Sequence, residues 1–502
     1  MRIFLLFLTS IFIISCSNNY NPTVVSARKD ASDIGVQVMK DGGNAFDAMI
    51  AVQLALSVSH PTAGNISGGG FMVYKLSDGT DGSLDFREKA PNSSSADMYL
   101  DDKGNVIPGL SSIGGLAVGV PGTISAIFEI HEKFGSLPIE ELFKPSIELA
   151  QKGFLVTEYL EEELNEKRDL FIKVNGESSL YSKEYQYGDT ITNNNYARTL
   201  LKIMNEGKDG FYSGEVAEDI IETISKNGGI MTLEDLGNYE SVWREPIRFK
   251  YKDFEVVSMA FPSSGGVLLG QMMKAIEKFD LSMIPHNSSE YIQLLTEIER
   301  RAFADRSDLM GDPDFMTLPV YEFMDEKYVE ERMKNFSWEK ATPSSDIKPG
   351  KIIFNESLET THFSIIDQSG NAVSVTTTLN NSFGSKLYVE DSGFFLNNEM
   401  DDFSSKPGYP NFFGVLGSEA NSIRPGKRML SAMTPTIVLK NNKPILILGS
   451  PGGPSIITSV FQTILNVIEY NMDVNEAVSA PRFHHQWYPD LIVMEKDVSS
   501  ND

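Results

Sequence analysis

Hydrophobic positions recur at helical spacing over residues 30–40 and 44–59, with Gly42-Gly43 between the runs and His60-Pro61 closing the second. Two helices are predicted there. Residues 61–70 are glycine-rich and lead into a strand-like run at 71–76. Residues 122–154 and 194–226 read as mostly helical, and 158–168 as a charged, solvated helical face. Thr232 is placed as a helix cap within 228–239. A strand is predicted over 251–259, a helix opening at 262–266, and a long helix over 291–306 that Gly311-Asp312-Pro313 closes. Residues 338–359 are polar and broken by Pro343, Pro349 and Gly350, the composition of an exposed, mobile connector. No internal repeat or heptad is apparent.

After that connector the period changes to two. Thr360 and Thr361 lead into a β-branched, apolar run that ends at Asp367. A turn signal follows at Gln368-Ser369-Gly370-Asn371, and a second run extends from Ala372 to Asn380. The pattern is a β-hairpin. Threonine is a good strand former, so an ordinary hairpin explains the pattern. A second reading gives it chemistry. If the chain is cut before Thr360, the freed residue carries hydroxyl and α-amine together. The amine is then the base that activates the hydroxyl, with a reference pKa of roughly 7.7–8.0.

Composition narrows the partners. The 502 residues suffice for a large core, and 41% hydrophobic with 22% charged residues is ordinary for a globular protein. The net charge of −26 and the lack of a basic stripe argue against nucleic acid. The glycine-rich stretch lacks G-x-x-x-x-G-K-[ST], so close backbone packing is expected there rather than phosphate binding. Met1-Arg2 and the short apolar run at 3–14 read as an export signal, too short to span a bilayer comfortably. Cys16, the single cysteine, sits in Ile13-Ile14-Ser15-Cys16, which resembles a bacterial lipobox. Residues 1–15 are expected to be a lipoprotein signal, 16–22 a lipidated tether, and the protein to be exported and anchored to a bacterial membrane. A plain signal peptide with an incidental cysteine is the alternative. His484 and His485 are adjacent, without H-E-x-x-H or a cysteine cluster, so a structural role and no metal are expected.

The motifs occur in an order that resembles the γ-glutamyltransferase (glutathione hydrolase) family of N-terminal nucleophile hydrolases. They are Thr360-Thr361-His362-Phe363-Ser364, the run from Asp367 to Gly384, Asn397-Asn398-Glu399-Met400-Asp401-Asp402-Phe403, Arg428 to Met433, Gly449-Ser450-Pro451-Gly452-Gly453, and Ala480 to Trp487. The resemblance implies an α+β fold, the four-layer αββα sandwich, made of a large subunit (23–359) and a small catalytic subunit (360–502) from one self-cleaved precursor. It implies Thr360 as nucleophile, Thr378 orienting it, and Gly452 and Gly453 as the oxyanion hole. Arg87 and Ser431 would hold the substrate α-carboxylate, and Asn380, Glu399 and Asp402 its α-amino group. Donors would be glutathione and other γ-glutamyl compounds, acceptors water, amino acids or peptides, with no cofactor.

Three departures from the family pattern stand out. Ala432 replaces a usual second serine, Phe413 stands where some members have a lid tyrosine, and the chain stops at Asp502 where the family continues for some tens of residues. A missing strand would leave a sheet edge open. Two other functions compete: a related cephalosporin or glutaryl acylase, and a surface-anchored binding protein without catalysis.

Overall fold

The computed structural model describes residues 20–347, 359–406 and 419–496, apart from Thr317 and Pro319, together with Tyr409 and Val498. Cys16 and Phe413 lie outside the described residues, as do 348–358.

Two antiparallel sheets lie at the centre. The first has six strands in the order Thr23–Val25, Glu359–Ile366, Ala372–Asn380, Gly69–Lys75, Asp81–Asp85 and Val242–Arg244. The second has four, in the order Lys443–Leu448, Thr436–Lys440, Phe254–Ser258 and Ile247–Tyr251. Strand alternation builds the layers. On Gly69–Lys75, Phe71 and Val73 join Val257, Ile437 and Leu439 between the sheets, while Met72 and Tyr74 pack against the outer helices. Those helices include Lys29–Lys40, Ala45–Ser59, Thr123–Phe134 and Ile139–Lys152. On the far side, Gly265–Ile276, Ser289–Leu309 and Ser455–Ile468 cover the second sheet. The result is the αββα sandwich.

The helices form where their caps and patterns dictate. Asn44 caps Ala45–Ser59 in a capping box with Asp47. All fifteen residues of that helix are buried, because it lies between the first sheet and further helices. Thr232 caps Leu233–Gly237 in the same way, with Asp235. The hairpin is as expected. Asp367 accepts from Ser369 and Asn371 N–H across its turn and, through its other oxygen, from Ala45 N at 3.1 Å. The predicted strand over 251–259 is instead the end of one strand and the whole of the next, with a turn at Lys252-Asp253, where Lys252 has φ 50°.

The connector is exposed over residues 338–341, as expected, but it is anchored further on. Thr342 N donates to Glu297 (2.7 Å) and Ser344 N to Asp490 (3.0 Å). The Trp487 indole N–H lies 3.0 Å from the carbonyls of both Ser344 and Ile347. Ser344 and Ile347 are buried. Polar composition here satisfies backbone and side-chain partners instead of solvent.

The glycine-rich stretch packs backbone on backbone, as expected. A Cβ at Gly64 would lie 2.1 Å from the Leu56 carbonyl oxygen, and one at Gly68 2.1 Å from that of Thr378. Gly64→Ala is therefore expected to lower stability by about 1–3 kcal/mol in denaturant titration, as overpacking does. Gly237→Ala, at a site with nothing within 4 Å, is expected to be neutral or slightly stabilising.

Candidate active site

The hairpin's register sets the site. Thr361 pairs with Thr377 and Glu359 with Asn380, so Thr378 and Leu379 together oppose Thr360. This is a β-bulge, a device that re-aims side chains at a strand end. Beyond it Asn380 takes a left-handed backbone, φ 78°, stabilised by Thr378 Oγ1, which accepts from Asn380 N at 2.8 Å. By alternation, Thr360 shares the inner face with His362 and Ser364, whose neighbours are in the second sheet. Ser364 Oγ donates to the Ile447 carbonyl (3.0 Å), and Ser374 Oγ to that of Leu448 (3.0 Å).

His362 joins this row. Ser364 spends its one proton on Ile447, so it accepts from His362 Nε2–H at 3.0 Å. Nδ1 then accepts from Thr376 Oγ1–H at 2.9 Å. The ring is neutral, and desolvation pulls its pKa down to about 3. A Cβ at Gly449 would meet Nδ1 at 2.3 Å. His362 thus ties the Thr360 strand to the start of the loop 449–453. Within that loop Gly452 (φ 120°) and Gly453 (φ 58°) hold conformations that favour glycine. The loop runs directly into the N-terminus of Ser455–Ile468, a favourable place for negative charge.

One cleft gathers the expected residues. Arg87, Thr360, Thr378, Asn380, Glu399, Asp402, Ser431 and Gly453 line it, with Ala432, Met433 and Ile456. Gly452 is next in the chain but is not on the wall. The open space amounts to about 210 Å³, the solvent at its mouth included. Thr360 itself is buried, 7% exposed.

The charged groups bind one another. Arg87 Nη1 donates to Glu399 Oε1 and Nη2 to Asp402 Oδ2. Nη2 also donates to the Leu430 carbonyl (3.2 Å), just before Ser431. Burial opposes the guanidinium charge, but Glu399 and Asp402 hold it protonated well above its ordinary range. Burial pushes Asp402 up to about 6 against the pull of Arg87, and raises Glu399 well above the carboxylate range. Glu399 Oε2 and Asp402 Oδ1 are buried without hydrogen-bond partners.

Buried amides build the scaffold around this cluster. Asn397 Oδ1 accepts from Glu399 N (3.0 Å) and Gly119 N (2.9 Å). Asn398 accepts from Asn381 N (3.0 Å), and its carbonyl accepts from Asn380 Nδ2 (3.0 Å). Asn65 Nδ2 donates to the Thr378 carbonyl at 2.8 Å and to Thr377 Oγ1 at 3.1 Å. The sequence reading missed Asn65, His362, Met433 and Ile456 as site neighbours. For His362 the alternation from Thr360 was a usable signal. For Asn65 there was none, since it lies far from the hairpin in sequence.

His484 and His485 take protein partners. His484 Nδ1 bonds Thr458 Oγ1 (2.9 Å) and its Nε2 donates to Gln486 (3.0 Å). His485 Nδ1 accepts from Trp487 N (3.0 Å), and Nε2 donates to Asp490 (3.2 Å). They hold the segment that grips residues 342–347.

An αββα sandwich with a threonine at the head of an inner strand, facing a glycine loop and a buried charge cluster, defines an N-terminal nucleophile hydrolase. Residues 31–501 match the Gamma-glutamyltranspeptidase family, and the chain belongs to it. The glutathione hydrolase proenzyme of Escherichia coli K12 is 43% identical over 480 residues, 95% of this chain and 83% of the relative. The Helicobacter pylori γ-glutamyltranspeptidase structure is 41% identical, covering 66% of this chain and 97% of that one, with a TM-score of 0.64. A cephalosporin acylase from Bacillus halodurans is 26% identical over 93% of this chain and 84% of its own, with a TM-score of 0.82.

The neutral His362 gives a stability signature. Its folded pKa lies below the unfolded value, so as pH falls from about 6.5 only the unfolded chain gains the proton. Wild-type stability falls there by up to about 1.4 kcal/mol per pH unit from this group. His362→Gln lacks the effect. The stability gap between wild type and variant is therefore expected to narrow in urea titrations as pH falls from about 6.5 toward 4.

Proposed function

We propose that this protein is a self-processing γ-glutamyltransferase and glutathione hydrolase. The observation that carries the reading is the placement of Arg87, Glu399 and Asp402 in one cleft with Thr360. A guanidinium beside carboxylates complements the carboxylate and ammonium of an α-amino-acid head. The reading places the cut before Thr360, giving subunits 23–359 and 360–502 that remain one body.

Thr360 Oγ1 attacks the γ-amide carbonyl while the Thr360 amine takes the proton. Thr378 orients the hydroxyl. The Gly452 and Gly453 amides face the oxyanion, an arrangement typically worth about 3–4 kcal/mol. The amine leaves, cysteinylglycine in the case of glutathione, and a γ-glutamyl ester remains on Thr360. Water then releases glutamate, or an amino acid or peptide accepts the group. Arg87 and Ser431 hold the α-carboxylate, and Asn380, Glu399 and Asp402 the α-ammonium. The substrate must therefore enter between charges that are already paired. We also read Cys16 as the lipidated first residue of an exported, membrane-anchored lipoprotein, supported by the apolar run before it.

Intact-mass analysis tests the cut. The form starting at Ser17 is expected as two fragments, the smaller beginning at Thr360, and Thr360→Ala as one uncut chain without γ-glutamyl anilide activity. An uncut wild type overturns the reading. For binding, Arg87→Gln is expected to raise KM for a γ-glutamyl anilide by about 10–150-fold, the loss of a charge-assisted hydrogen bond of about 1.5–3 kcal/mol.

A further inference from the structure

We propose that Glu88 shares one proton with Glu399 in the free enzyme, and that the substrate's α-ammonium group displaces this proton on entering the cleft. The inference rests on the γ-glutamyl reading of the site and assigns Glu88 a role in recognition.

Glu88 follows Arg87 and is fully buried, at 0% exposure. Its Oε2 lies 3.7 Å from Arg87 Nη1. Neither of its oxygens receives a hydrogen bond from a donor on another residue, and the same is true of Glu399 Oε2 and Asp402 Oδ1. Backbone confines it. A Cβ at Gly69 would meet Glu88 Oε2 at 2.5 Å, and one at Gly119 its Cβ at 3.1 Å. Glycine at both positions leaves room for this carboxyl and little more. Arg87 Nη1, beside Glu88 Oε2, also binds Glu399 Oε1, so the two carboxyls flank one nitrogen. Two buried carboxyls this close around one cation do not both ionise, so one keeps its proton.

The charges around Glu88 make that proton necessary. Arg87 supplies one positive charge against the carboxyls of Glu88, Glu399 and Asp402. If all three ionised, the buried cluster would carry 1 − 3 = −2. Tyr212 and Tyr239, on the other side of Glu88, are phenols that burial keeps neutral. Asp401, beside Asp402, is already occupied by the Ser111 and Ser112 hydroxyls. Arg306 acts on Asp402. Burial raises Glu88 to about 7, so the pair retains its proton near neutral pH.

A ligand ammonium supplies the missing positive charge and three N–H donors for the bare oxygens. The balance is simple. Protonated site and ammonium ligand give an ammonium-bound, fully ionised site and one free proton. A ligand with the same carboxylates but no ammonium leaves the proton in place. The site thus distinguishes an amino acid from a plain diacid by charge as well as shape.

The test is isothermal titration calorimetry of the mature enzyme in two buffers of different ionisation enthalpy, with L-glutamate and with glutarate. At about pH 6, L-glutamate is expected to release about one proton more than glutarate, and at about pH 9 the difference is expected to vanish. Titration of the Thr360 amine cancels, because both ligands place a carboxylate beside it. Glu88→Gln is expected to lose most of this release and to flatten the pH dependence of KM for a γ-glutamyl anilide. Equal proton counts for the two ligands in the wild type would overturn the proposal, whether or not the variant folds. Absence of L-glutamate binding would overturn the γ-glutamyl reading, and this inference with it.

Discussion

The structure depends on a strand held from both sides. Glu359–Ile366 is paired to Ala372–Asn380 along one edge and, over Ser364 to Ile366, to Thr23–Val25 along the other. Its two faces are fixed too, Phe363 and Ile365 in the helical layer, His362 and Ser364 against the second sheet. The ladder that begins at Thr361 anchors the residue at the head of this strand from its carboxyl side, independently of the peptide bond preceding it. That is the condition a catalytic amino terminus needs: its position must survive loss of its covalent neighbour. The bulge at Thr378-Leu379 and the left-handed Asn380 then turn the adjoining chain around the nucleophile.

Much of this was legible in the chain. The hairpin announced itself through period-two alternation and an Asn/Gly turn, because those signals are local. The helix cap at Thr232 was equally local. The site's residue set came from motif order and resemblance, and no periodicity would have joined Arg87 to Asp402 across 315 positions. What the sequence hid was long-range. The gripping of Ser344 and Ile347 by Trp487 and Asp490 anchors a polar, proline-broken and otherwise largely exposed stretch at its buried positions. The split of residues 251–259 between two strands depended on one left-handed lysine, a conformation that residue rarely advertises. Glu88 read as the neighbour of an interesting arginine until its burial was visible.

The likeness to a cephalosporin acylase, at 26% identity and a TM-score of 0.82, shows that the sandwich serves more than one amide chemistry. The chemistry is set at the cleft wall. Here one guanidinium and two carboxyls line the cleft with the threonine, and Ala432 gives the wall a methyl group where a hydroxyl is usual in the family. Burying so much charge is costly unless each group has a partner. A cleft walled by such charge is built for a ligand that brings its own charges.

Trp487 and Asp490 lie near the carboxyl end of the chain, yet they hold residues 342–347, which precede the nucleophile strand. The chain on either side of Thr360 is thereby interlaced. Thr23–Val25 lies in the same sheet as Glu359–Ile366, while the 480s grip the 340s. A break between residues 347 and 360 would leave two polypeptides whose shared boundary is the protein interior itself. Diluting such a pair does not separate it as it would two docked subunits, since parting them exposes the core and amounts to unfolding both.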